Sequence, residues 1–268
     1  MFNLLRMDLY RVRKSKSVYI CFGILLAATA AIFGLLWLMA VPRGQELAVR
    51  AGMLTAAELA ESSAILKGVD SLEMFRQTCL NGGTYNMVFG IWIMLFVCSD
   101  FQSGFIKNVM ALHQNRWKYV GSKIVTAGIV DFCYLILHLL FTLLVNRLFG
   151  NMVPYAKLGP CVFYLSWAWL VTTAFAALVI LICVLSRSVA AGAVGTVLFS
   201  SGVIVTMLYS LMNTFHMGSW LKYSIYLTLS MGPGEYTAWK DLYVYAVGAG
   251  FLILYTAVAG VVLRRRDI

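Results

Sequence analysis

Four polar side chains interrupt an otherwise apolar stretch of this sequence: Asp131, Tyr134, His138 and Thr142, separated by 3, 4 and 4 positions. On a helix of 3.6 residues per turn, consecutive members lie about 40 to 60 degrees apart and form one stripe. An acid near a bilayer centre costs about 2.5 to 3.5 kcal/mol, so Asp131 is expected to face other helices and not lipid. Asp131 and His138 sit about 10 Å apart along the axis, too far to bond directly, and Tyr134 lies between them, able to bridge through its hydroxyl or a water. Two chemistries stay open, a polar clamp between helices and a stripe that contacts a substrate or lines a cavity or path. The expectation is a clamp for Asp131 and a path for Tyr134, His138 and Thr142.

Other chemistries are excluded by what is missing. No glycine-rich loop ends in Gly-Lys-Ser/Thr, and the clusters Gly82-Gly83 and Gly232-Pro233-Gly234 carry no lysine, so ATP would have to be bound by another chain. A serine protease of the rhomboid kind needs a serine and a histidine on neighbouring spans. Ser200 and Ser201 lie in the fifth apolar run, but the sixth has no histidine. No His-Glu-x-x-His occurs. Bis-histidine haem ligation fails because His138 lies in a span and His216 in an outer connection. Neither an enzyme nor a metal or cofactor site is expected in this chain. Of six cysteines, Cys21, Cys98, Cys133 and Cys183 lie in or at the ends of apolar runs, and only Cys79 and Cys161 could meet on an outer face.

The elements that must hold these residues follow from composition. Of 268 residues, 61% are hydrophobic and 12% charged, with mean hydropathy +0.83. Soluble domains carry about 25% charged residues, so a soluble globular chain is excluded. Continuous apolar runs at 17–41, 81–99, 124–145, 162–185, 189–212 and 242–263 predict an all-α, polytopic membrane protein with six spans in one domain, 1–268. The first run exceeds a signal-peptide core and is expected to stay in the protein.

The net charge of +10 does not point to nucleic acid, because the cations cluster beside spans. Thirteen of 21 fall on the side holding both termini, and four of the other eight lie in one long loop that also carries five acids. Both termini are therefore expected in the cytoplasm, with the chain in the cell's inner (cytoplasmic) membrane. Residues 1–16 hold five cations and one acid, with Phe2, Leu5, Leu9 and Val12 at helical spacing, and predict an interfacial elbow helix. The 42–80 loop is expected outside, with a helical cap over 54–66. In the 213–241 outer connection the apolar stretch 220–231 is too short to span, which predicts a re-entrant or interfacial segment.

The connection between the second and third runs carries the most specific pattern. A polar start at Ser99 or Asp100 is expected to cap a helix whose apolar residues Phe105, Ile106, Val109 and Met110 share a face and are exposed to a cytosolic partner. Asp100, Ser103, Gly104, Ile106, Lys107 and Asn108 match the Asp/Glu-x-x-Ser-Gly-x-Ile-Lys-Asn pattern. Arg116-Trp117-Lys118-Tyr119 and Lys123 form a basic, aromatic return. Here, and in Leu4-Leu5-Arg-Met-Asp-Leu-Tyr-Arg11 with Lys14 to Tyr19, the sequence resembles the permease subunits of ABC-2 type exporters, in particular compact six-span bacterial ones of the peptide and lantibiotic kind.

The topology resemblance covers the whole chain, the residue matches only about the first 20 positions and 99–123. It implies a homo- or heterodimer of permeases on two ATP-binding subunits, which hold ATP and Mg2+. It also implies that 100–116 is the coupling helix, with Asp100, Ser103 to Val109 and Arg116 as the ATPase-coupling residues. The implied function is ATP-driven export, with an amphipathic or antimicrobial peptide as the expected substrate class. The long loop after the first span departs from the pattern of small relatives. The alternative is a membrane scaffold or sensor that keeps the fold without transport.

Overall fold

The computed structural model describes residues 2–50, 69–112, 116–215 and 218–265, and among these all regular structure is helical. An N-terminal helix α1 (Phe2–Lys14) precedes α2 (Lys16–Ala40) and a short α3 (Pro42–Arg50). After α4 (Ser71–Phe75) the chain widens into a π-turn at Arg76–Leu80. Then come α5 (Thr84–Gln102), α6 (Phe105–Leu112), α7 (Arg116–Leu148) and α8 (Leu158–Ser186). The chain ends with α9 (Val189–Ser200), α10 (Val203–Thr214), α11 (Ile225–Met231) and α12 (Tyr243–Arg265). The cap expected over 54–66 lies outside the described residues.

Among the described residues five helices are long and apolar enough to cross a membrane, α2, α5, α7, α8 and a final one that includes α12, and α9 with α10 make a sixth if the bent pair is one span. Helical spans keep every backbone hydrogen bond inside the segment, which the bilayer requires. At 33 residues α7 is about 50 Å long, well beyond the roughly 30 Å of hydrocarbon, so its charged first turns from Arg116 to Lys123 extend past the apolar layer.

α8 is the central helix, packed against α5, α7, α9 and α12 and buried along most of its length. Small side chains, Ala168, Ala174, Ala176 and Ala177, let its neighbours approach closely. α12 packs tightly on α8 at Gly248, where a Cβ would lie 2.9 Å from Leu170 Cγ. The end of α12 meets the start of α7, since the Arg116 guanidinium donates to the carbonyls of Leu263 and Arg264 at 2.7 and 3.1 Å. With α1 packed on α7, these contacts define a basal end holding α1, α6, the start of α7 and the end of α12.

Two features differ from the sequence reading. The run 189–212, read as one span, bends by 57° between α9 and α10. Gly202 makes the break with φ +74, and the Tyr226 ring is packed so close that a Cβ would sit 2.4 Å from it. The 42–80 loop is also more than a cover. Its 71–80 portion buries Leu72, Met74, Phe75, Cys79 and Leu80 against the bundle. Cys79 and Cys161 are both free thiols. The 213–241 connection holds the short helical pieces Gly218–Tyr223 and α11 and most of a turn at Trp239–Leu242, each too short to span.

Candidate functional site

At the basal end four charges meet. Asp8 lies on the same face of α1 as Leu4 and Val12, one turn apart each, so the burial of that face against α7 carries the carboxylate inward. Lys123 Nζ lies 2.8 Å from Asp8 Oδ1 and 2.7 Å from Asp100 Oδ2, and all three side chains are at most 2% exposed. Arg11, partly open, reaches Asp100 Oδ1 at 2.7 Å. The remaining carboxylate oxygen positions receive hydroxyls: Ser122 donates to Asp8 Oδ2 at 2.8 Å, Tyr119 to Asp100 Oδ2 at 2.9 Å. Two acids and two bases neutralise one another, and the hydrogen bonds offset part of the desolvation that a buried ion pair must overcome. Aromatic faces complete the shell, with Phe96 centred 4.0 Å from Lys123 Nζ and Phe105 4.7 Å from the Arg11 guanidinium.

The segment expected to couple to an ATPase is divided by the structure. Ser99 and Asp100 are inside α5 and do not cap the next helix, because Asp100 is drawn into the ion cluster. The break falls at Ser103 and Gly104, whose φ is +69, and Phe105 N–H donates to Ser103 Oγ at 3.4 Å. In α6 the apolar stripe expected to be exposed is turned inward. Ile106 and Val109 are buried in the core and Phe105 packs against it beneath Arg11. The reason is that α6 folds back on this chain's own α5, with Arg11 of α1 over the Phe105 ring, so the stripe is covered without a partner. Lys107 and Asn108 form the exposed face. Arg116 opens α7 and binds the end of α12.

Midway along the bundle the Asp131 carboxylate is fully buried and takes its contacts from neutral donors on two other helices. Tyr85 of α5 reaches Oδ1 at 2.6 Å, while Thr172 and Thr173 of α8 reach Oδ2 at 2.6 and 2.9 Å. Tyr134 does not bridge to His138. Helical side chains lean toward the N-terminus, and its hydroxyl accordingly donates basally to the Val18 carbonyl of α2. His138 and Thr142, expected along a path, are both buried. His138 contacts Thr29 Oγ1 of α2 through Nε2 at 2.6 Å and Cys79 Sγ through Nδ1 at 3.3 Å, and its ring makes a T-shaped contact with Phe75, centroids 5.6 Å apart. Thr142 donates to the His138 carbonyl at 3.0 Å.

The two clusters are joined along α5. Tyr85, Phe89, Trp92 and Phe96 stack at centroid distances of 5.6 Å, so one aromatic column runs from the Asp131 contact to the Lys123 contact. Sequence reasoning missed Asp8, Arg11, Tyr85, Thr29, Cys79 and the Thr172-Thr173 pair. The available signal was Asp8, the one acid among five cations in the first 16 residues and placed on an apolar face. Among the described residues no group of three or more metal-ligating side chains occurs. No protein-family model matches the chain, and no curated protein matches it.

Proposed function

We propose that this chain is the membrane-spanning permease subunit of an ATP-driven exporter, with ATP and Mg2+ held by a separate ATPase subunit that docks at the basal end. The observation that supports it is the direct connection of α6 to the spans. Phe105 lies under Arg11, Arg11 pairs with Asp100 of α5, and Lys123 of α7 bridges Asp100 to Asp8 of α1. A displacement of α6 by a partner is thereby carried to α1, α5 and α7 together, since close-packed and ion-paired elements shift as units. Docking then uses the exposed Lys107 and Asn108, and the buried stripe transmits the force.

An amphipathic peptide is the substrate class we assign to this reading. A recess of about 230 Å3 between α7 and α8, lined by Phe132, Leu135, Val162, Leu165, Trp169 and the hydroxyl-bearing Ser166, suits apolar side chains with one polar contact. Asp131 serves as the clamp holding α5, α7 and α8 around it. The test is co-expression with an ATP-binding-cassette subunit. The pair is expected to copurify with peptide-stimulated ATPase turnover, and Lys107→Glu with Asn108→Glu to abolish copurification. Failure of every such subunit to bind, or turnover indifferent to the permease, overturns the reading. Basal cytoplasmic orientation is tested separately. Lys107→Cys should be shielded from an impermeant thiol reagent outside intact cells, and Lys240→Cys should react.

A further inference from the structure

The basal cluster has a consequence for the surface around it. Asp8 and Asp100 are the acids of the described basal segments, and both are buried and paired with Arg11 and Lys123. Among the described residues no other carboxylate lies at this end to neutralise the exposed cations. Arg6, Arg13, Lys14, Lys16, Lys107 and Lys118 are all exposed, and among the described residues none of them forms an ion pair with a carboxylate. The described part of the basal rim is therefore a surface of one sign.

On α1 this charge is organised. Asn3, Arg6, Met7 and Tyr10 recur at helical spacing on the face opposite Leu4, Asp8 and Val12, and line a recess of about 350 Å3. Lys14 Nζ lies 4.9 Å from the Tyr10 ring centre, which holds a second cation at the recess edge. Phe2 projects beside it, 86% exposed. The arrangement is a planar guanidinium, an amide and a phenol lining a shallow, open recess, with an ammonium against the phenol ring. A guanidinium fork matches two phosphate oxygens, amide and phenol donate to neighbouring ester or hydroxyl oxygens, and Phe2 and Met7 suit acyl chains just below a headgroup.

We infer that the outer face of α1 is a binding site for the phosphate headgroup of an anionic phospholipid, with Arg6 and Lys14 as the charge contacts. The occupant is a lipid, not free phosphate, because the recess lies on a helix at the end of the spanning bundle and its border is apolar as well as cationic. Each cation close to an anionic leaflet is worth about fivefold in partitioning, so removing both should weaken the preference by at least tenfold. The inference does not depend on the transport reading, since it concerns the isolated chain.

The experiment uses the full chain purified in an uncharged detergent and titrated with short-chain phosphatidylglycerol, short-chain phosphatidylcholine or inorganic phosphate. The thermal unfolding midpoint and lipid adducts in native mass spectrometry are the readouts. Phosphatidylglycerol should raise the midpoint and give adducts at concentrations at least tenfold below phosphatidylcholine, and inorganic phosphate should do neither. Arg6→Gln with Lys14→Gln, both at exposed positions, should lose that preference. Lys222→Gln with Lys240→Gln, exposed cations at the opposite end, should retain it. Equal response to the two lipids, or full preference in the α1 double variant, overturns the site. A phosphate response matching that of phosphatidylglycerol overturns the lipid as occupant.

Discussion

At the basal end two carboxylates and two cations lie in contact, whereas the Asp131 carboxylate deeper in the bundle is met by a phenol and two threonine hydroxyls and, among the described residues, pairs with no cation. Both groups tie helices together, α1 with α5 and α7 at the base, α5 with α7 and α8 above it. The difference follows from depth. Near the end of the bundle, long cationic side chains can enter from the interface and keep their stems apolar, as Arg11 does. Farther in, a second full charge would have to be inserted through the membrane, and neutral hydroxyls satisfy the carboxyl at far lower cost. The basal cluster should thus be strong and brittle, since removing one member leaves another charge buried. The Asp131 cluster should degrade gradually.

The largest expected effect is therefore Lys123→Met, which leaves Asp8 and Asp100 buried with Arg11 alone. A loss of about 3 to 5 kcal/mol in detergent unfolding is expected, and adding Asp8→Asn to Lys123→Met should recover much of it. No recovery would mean that packing, not charge, dominates the base. Next comes Asp131→Ala. Thr172 keeps its second acceptor, the Ala168 carbonyl at 2.8 Å, so only the Tyr85 and Thr173 contacts lose their main partner. Interhelical hydrogen bonds in membranes average about 0.6 and reach about 1.7 kcal/mol each, giving a loss of about 1 to 3 kcal/mol. A loss as large as that of Lys123→Met would erase the contrast.

His138→Ala is expected to act locally, by uncovering Cys79, whose side chain is now 0% exposed. Reaction of Cys79 with N-ethylmaleimide, followed by peptide mass spectrometry, should accelerate markedly while global unfolding shifts little. The smallest effect is Phe105→Leu. It removes the stacking under Arg11, worth about 0.5 to 1 kcal/mol, and should leave the Asp100 pair intact. A loss above about 2 kcal/mol would place Phe105 in the core proper.

How much of this could be read from the sequence depends on the kind of signal. The spans were legible because runs such as 162–185 have no charge to interrupt them, and helix α8 covers that run. The break in 189–212 was not, because Ser201-Gly202 changes hydropathy hardly at all, and only the packing of Tyr226 reveals what the glycine is for. The stripe of Phe105, Ile106 and Val109 was grouped correctly on one face, but periodicity states which residues share a face and not what lies opposite. Its cover, Arg11 and α1, comes from a segment some 95 residues away. Asp131 was legible as a group needing partners, while Tyr85, Thr172 and Thr173 were not, since threonines and tyrosines are ordinary in spans. The same long-range pairing hid Asp8 with Lys123.

The central claim is that the basal ion cluster holds α1, α6 and the feet of α5 and α7 as one unit. Hydrogen exchange of the purified chain, comparing the native sequence with Arg11→Gln, tests it most directly. Arg11 is the partly exposed member and the one that touches both Asp100 and Phe105. Its loss should raise exchange in α1 and α6 peptides together, by at least tenfold, and leave the central turns of α8 unchanged. Faster exchange confined to α1, with α6 as protected as before, would contradict the account.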